Sequence, residues 1–202
     1  PSDIAAFDGA DLVVVNGLGY DNWASDALRT VSGSPRVIDA GKVADRTLGD
    51  NPHVWYDPAV VHKVAAVVTD SLQERAPNAS GYFAGRATKW DHAMAPYDAA
   101  IEQLRSSASG RAYAATESVF DPMAAALGLT DVTPAGYRKA AANESEPAAS
   151  DLAAFESQLR GGSVDVLIVN TQTQGAVPEQ LRHVAESAGV PVVDVTETVP
   201  RG

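Results

Sequence analysis

Residues 79–106 read ASGYFAGRATKWDHAMAPYDAAIEQLRS, and within them Phe83, Ala87, Trp90, Met94, Tyr97, Ile101 and Leu104 recur at alternating steps of four and three. That spacing is the period of one face of an α-helix. At 1.5 Å rise per residue, about 28 residues span on the order of 40 Å, the width of two small domains side by side. Pro96 lies inside the stretch and predicts a kink near His92 to Ala95. The aromatic stripe reads as a helix face packed on a core, and the helix as a strut connecting two parts of the chain.

On either side of the strut, apolar runs and helical periods alternate. Upstream, a short helix through Phe7 precedes a Val-rich strand from Ala10 to Gly17, whose unbroken apolar run suggests a parallel sheet. A helix from Trp23 to Val31, a strand from Arg36 to Asp39 and a polar loop to Asn51 follow. From Pro58, the positions Val60, Val61, Val64, Val67, Val68 and Leu72 mark a helix that breaks at Ala76-Pro77-Asn78. Downstream, the pattern predicts strand Ala112 to Thr116, helix Ser118 to Leu127, a strand near Leu129 to Val132 and an irregular segment over 134–147. A helix from near Ser150 to Gly161-Gly162, strand Val164 to Asn170, helix Pro178 to Ala188 and strand Val190 to Val195 complete it. Such alternation predicts an α/β protein with two Rossmann-like lobes: an N-terminal lobe over 1–78, a linking helix over 79–107 and a C-terminal lobe over 108–202.

Composition narrows the partners. Across 202 residues, Lys+Arg number 15 against Asp+Glu 26, a formal net charge of -11. That balance disfavours a nucleic-acid backbone or an anionic lipid surface and favours cations. The absence of Cys removes disulfides, thiolate metal sites and cysteine nucleophiles, so a metal would be held by His, carboxylates, carbonyls or water. No apolar run approaches the roughly 18 residues of a membrane span, and none has signal-peptide form. The abrupt opening on Pro1-Ser2-Asp3 predicts that an upstream part precedes it.

The stretch Asn51-Pro52-His53-Val54-Trp55-Tyr56-Asp57-Pro58 fixes one histidine between two prolines at the mouth of a helix. Pro52 biases Asn51 toward extended backbone and Pro58 suits a first helical turn, so His53 is predicted on a short, stiff, non-helical loop. Such a mount serves a ligand, or a loop histidine satisfied by a backbone carbonyl. In open α/β sheets ligands bind beyond the carboxyl ends of strands. Two acids stand there: Glu117 after Ala112 to Thr116, and Glu197 after Val190 to Val195. With His53 they could form an N/O site for a first-row divalent ion. Glu117 could equally be a helix-start carboxylate favoured by the dipole, and Glu197 a solvated loop charge. His62, His92 and His183 read as surface positions on helices. Glu144, Glu146 and Asp151 read as acids capping the next helix and compensating its dipole. No nucleophile elbow, phosphate-binding glycine pattern or His-Glu-x-x-His spacing is present.

These residues together resemble a known family. Pro1-Ser2-Asp3-Ile4, the Ala10 to Leu18 strand with Trp23, and above all Asn51 to Pro58 are similar to the metal-binding receptors of manganese and zinc ABC importers. So are Glu144-Ser145-Glu146-Pro147 with Asp151-Leu152, and Gly189-Val190-Pro191-Val192 leading to Thr196-Glu197-Thr198. The resemblance runs in order along essentially the whole chain. It implies two α/β lobes joined by one rigid helix, with a single Mn(II) or Zn(II) held between them by four side chains and delivered to a membrane permease. It matches His53 to the second histidine ligand, Glu117 to the third ligand and Glu197 to the final carboxylate. It places the first histidine, with the opening strands of the first lobe, before Pro1, and a last helix after Gly202. A non-enzymatic, monomeric, extracytoplasmic protein follows, periplasmic or anchored as a lipoprotein, with no nucleic-acid partner. The rival readings are a metal-dependent hydrolase with Glu117 as general base, and an adhesin-like protein that binds a macromolecule.

Overall fold

A computed structural model of the chain describes residues 2–173 and 175–199. The chain divides into two compact units, Pro1–Ala99 and Ala100–Gly202.

The first unit is built on a parallel pair. Helix α1 (Ser2–Asp8) precedes strand β1 (Leu12–Val15), helix α2 (Asn22–Leu28) and strand β2 (Arg36–Asp39). Leu12 lies opposite Arg36 and Val15 opposite Asp39. Val13, Val15 and Ala24 form the buried cluster, with Phe7, Ala10 and Leu28 packed against it. The segment read as a polar loop begins with a short helix, α3 (Ala40–Val43), because the Asp39 carboxylate at the end of β2 caps it by accepting the Lys42 N–H at 3.1 Å. Gly17 has φ of 75°, and a Cβ there would run into the Asp39 carboxylate, so glycine is required at the end of β1.

Helix α4 (Pro58–Arg75) starts where the sequence indicates. Asp57 caps it by accepting the N–H groups of Ala59 and Val60, and Pro58 occupies the first turn. Helix α5 (Ser80–Ala108) then runs through Pro96 without ending there. The expected core-facing stripe is only partly found. None of the described residues of α5 is buried. Phe83, Ala87, Trp90, Met94 and Ile101 are half-buried, whereas Tyr97 and Leu104 are 39% and 52% exposed. The cause is helical drift: a seven-residue repeat slips by about 20° per repeat on a 3.6-residue helix. By the third repeat the shielded line has passed from Tyr97 to Asp98, which is half-buried.

The second unit is a four-stranded parallel sheet in the order β4-β3-β5-β6, made of β3 (Ala112–Ala115), β4 (Thr130–Asp131), β5 (Val166–Asn170) and β6 (Val192–Val195). Helix α6 (Asp121–Leu127) connects β3 to β4, ending at Gly128 with φ of 71°, a left-handed cap. Helices α7 (Ala135–Ala142) and α8 (Ala149–Arg160) lead to β5, and α9 (Ala176–Ser187) leads to β6. Alternate residues of the strands feed two cores, as a sheet covered on both faces requires. Ala114, Leu167 and Val169 pack with Phe155, Leu159, Leu181 and Ala185 on one face, and Tyr113, Ala115 and Ile168 pack with Ala124 on the other. The segment 134–147, read as irregular, contains α7. Its run of alanines favours helix without an obvious stripe, and its single buried anchor, Tyr137, sets its ring edge-on to Phe155 at 4.8 Å.

Candidate metal-binding residues

Each unit carries its candidate donors past the carboxyl ends of parallel strands. In the first unit, the Asn16 side chain at the end of β1 donates to the Pro52 carbonyl at 3.0 Å, tying the His53 loop to the strand end. The Asp21 carboxylate accepts the N–H groups of Asn16 and Gly17 at 2.6 and 2.9 Å, which fixes the turn beneath it. His53 itself opens a 3₁₀ turn, Val54–Tyr56.

The tautomer of His53 follows from its neighbour. The Asn51 side-chain oxygen accepts the His53 backbone N–H at 3.0 Å and lies 2.7 Å from Nδ1. That oxygen can only accept, so Nδ1 carries the proton and the neutral ring holds its lone pair on Nε2. This is how ligating histidines are commonly oriented. Trp55 and Tyr20 pack edgewise against the ring at 5.2 and 6.3 Å.

In the second unit, Glu117 follows β3 with an extended backbone and makes no capping hydrogen bond to the turn after it among the described residues. Its carboxylate turns instead toward β5. Asn170 Nδ2 donates to Glu117 Oε2 at 2.6 Å, and the Thr173 hydroxyl donates to Oε1. The Tyr137 hydroxyl is pushed up to about 12, first by burial and then by the negative charge of Glu117. Glu197 stands two residues beyond β6 and is half-buried, not a fully solvated charge. Because β3 and β6 flank β5, Glu117 and Glu197 leave the same edge of one sheet two strand spacings apart, about 10 Å.

His92 and His183 are exposed, as the sequence suggests. His62 is not a plain surface residue: Nε2 lies 2.9 Å from Asp98 Oδ1, and the ring packs edgewise on Trp90 at 4.9 Å. Asp151 lies in the first turn of α8, but the capping expected of Glu144 and Glu146 is not found, because the cap position is Ala148 and both glutamates are exposed. Within neither unit do three or more His, Asp or Glu among the described residues gather so as to hold a metal ion. The partners of Glu117, Asn170 and Thr173, escaped the sequence reading. Their one signal was an Asn ending an otherwise apolar strand.

Two parallel α/β units, each with candidate side chains beyond the carboxyl ends of its strands, have the layout of an open α/β protein, in which ligands bind at that end. The chain belongs to the family described as ZnuA, zinc-uptake complex component A, periplasmic, whose model matches residues 1–202. That family is one of transport-binding proteins. The chain is 34% identical over 92 residues to the manganese-binding lipoprotein MntA of Halalkalibacterium halodurans, covering 43% of this chain and 30% of that protein. It is 22% identical over 200 residues to the high-affinity zinc uptake system protein ZnuA of Bacillus subtilis, covering 90% and 61%. The chain thus spans less than two thirds of the length of either relative. The solved periplasmic zinc-binding protein TroA of Treponema pallidum shares the fold with a TM-score of 0.73 at 20% identity, over 97% of this chain and 74% of that one.

Proposed function

We propose that the protein of which this chain is part is the extracytoplasmic receptor of a metal ABC importer, which captures Mn(II) or Zn(II) and delivers it to a membrane permease. It performs no chemistry on its cargo, acts as a monomer and has no nucleic-acid partner. The ion's donors are His53, Glu117, Glu197 and one histidine preceding Pro1, contributed by two lobes, 1–78 and 108–202, that the helix over 79–107 links. The single observation that carries the reading is the Asn51–His53 pair, which in the neutral ring leaves the imidazole lone pair on Nε2, within a chain that the family model matches along its length. A charge of -11 supports a cationic cargo.

Two histidines with two carboxylates form a harder donor set than three histidines, which favours manganese, while the general affinity order still makes zinc bind tightly. Selection between them then rests on geometry and supply. The test is metal content per chain in the complete protein and in His53→Ala. One ion in the first and none in the second is the expected result, and equal stoichiometry refutes the role of His53.

A further inference from the structure

Asn170 is 2% exposed and ends a strand otherwise made of Val, Leu and Ile. A buried amide in such surroundings is costly unless its donors and acceptor are matched. Here they are. Asn170 Oδ1 accepts the Gln172 N–H at 3.0 Å, which fixes the flip of the amide and points Nδ2 at Glu117 Oε2, 2.6 Å away, and at Thr173 Oγ1, 3.1 Å away. Having accepted from Asn170, the Thr173 hydroxyl directs its own proton to Glu117 Oε1. Each oxygen of the carboxylate thus receives one directed donor and keeps lone-pair capacity for a cation.

The same loop also reaches the strand that carries Glu197. Gln172 Oε1 accepts the Thr198 N–H at 2.8 Å, Gln172 Nε2 donates to the Thr198 carbonyl at 3.1 Å, and the Thr171 N–H donates to the Val195 carbonyl at 3.0 Å. One three-residue turn after β5 therefore holds the carboxylate after β3 and the backbone around the carboxylate after β6.

We propose that Asn170 and Thr173 are positioning residues for metal capture: they hold the Glu117 carboxylate in its ligating orientation before the ion arrives. This rests on Glu117 being a ligand. Without them the carboxylate would have to be ordered at the moment of binding, and affinity would fall as it does when outer partners of metal ligands are removed.

The experiment is calorimetric titration of the complete protein with Mn(II) and with Zn(II), for the wild type, Asn170→Ala, Thr173→Val, Thr173→Ser and Glu117→Ala. The expected result is that Asn170→Ala and Thr173→Val each bind about 10- to 100-fold more weakly, while Thr173→Ser, which keeps the hydroxyl, binds as the wild type does. A role through packing alone would favour Val, which keeps the branched shape, over Ser, and a role in stability alone would lower the melting temperature of Thr173→Val without lowering its affinity. If Asn170→Ala does not fold, the Thr173 pair decides alone. Wild-type affinity in Thr173→Val together with loss of binding in Glu117→Ala overturns the positioning role only. Wild-type affinity in Glu117→Ala overturns the ligand role of Glu117 and this inference with it.

Discussion

His53 and Glu117 are held in opposite ways. The ring orientation of the imidazole is set mainly nearby: Asn51 sits two residues away, Pro52 stiffens the approach, and Asp57 with Pro58 starts the helix that follows, while Asn16 ties the loop to β1 and Tyr20 packs on the ring. The carboxylate is fixed by Asn170 and Thr173, 53 and 56 residues along the chain, which reach it only because β3 pairs with β5. The first orientation rests on a hydrogen bond that spans two residues, and the second on hydrogen bonds that span a sheet. The first should outlast damage to the fold that the second cannot survive.

The largest effect that would break this contrast comes from the core under the sheet. Phe155 is fully buried in one core cluster with Tyr137 and the strand residues Ala114, Leu167 and Val169, so Phe155→Ala should cost about 3–5 kcal/mol in denaturant unfolding. The His53 ring resonances should stay unchanged while those of Asn170 and Thr173 shift. Movement of both sets would mean that the two mounts are not independent.

Next in size, Asn51→Ala removes the acceptor that sets the His53 tautomer and should weaken metal binding by about 10- to 100-fold with little change in melting temperature. A fall in stability equal to the fall in affinity would make Asn51 a structural residue instead. Smaller again, Asp57→Ala removes the α4 cap and should cost about 1 kcal/mol by thermal unfolding. The smallest effect concerns a tie between α8 and α9. Hydrogen bonds from Gln180 and then Arg160 hold the Glu156 carboxyl below its usual value. A lowered carboxyl contributes stability above its unfolded pKa near 4.5 and loses it as pH falls through the folded value. Glu156→Gln should therefore flatten the acid limb of the stability profile slightly, and an unchanged limb would remove Glu156 from the account.

The same contrast explains what could be read from the sequence. Strand β2 and the starts of α4 and α5 were legible because spacing, proline and capping are local signals. The mount of His53 was legible only in part, since the loop read as non-helical passes at once into a 3₁₀ turn and is tied to the end of β1 by Asn16. Tyr97 and Leu104 were misplaced because a strict heptad was followed where the helix turns every 3.6 residues. Helix α7 was missed because alanine marks no face, and its Tyr137 anchor is recognisable only against Phe155. Glu117 and Glu197 were found by their place after strands. Asn170 and Thr173 were not, since a hydrogen bond across 53 or more residues leaves no pattern along the chain.

The central claim is that His53, Glu117 and Glu197 hold one divalent ion. Anomalous diffraction from crystals of the complete protein, collected at the manganese and zinc edges, tests it most directly. The account predicts a single peak within about 2.0–2.3 Å of His53 Nε2 and of an oxygen from each glutamate. A peak bound by other side chains, with the His53 ring outside ligand distance, would contradict it.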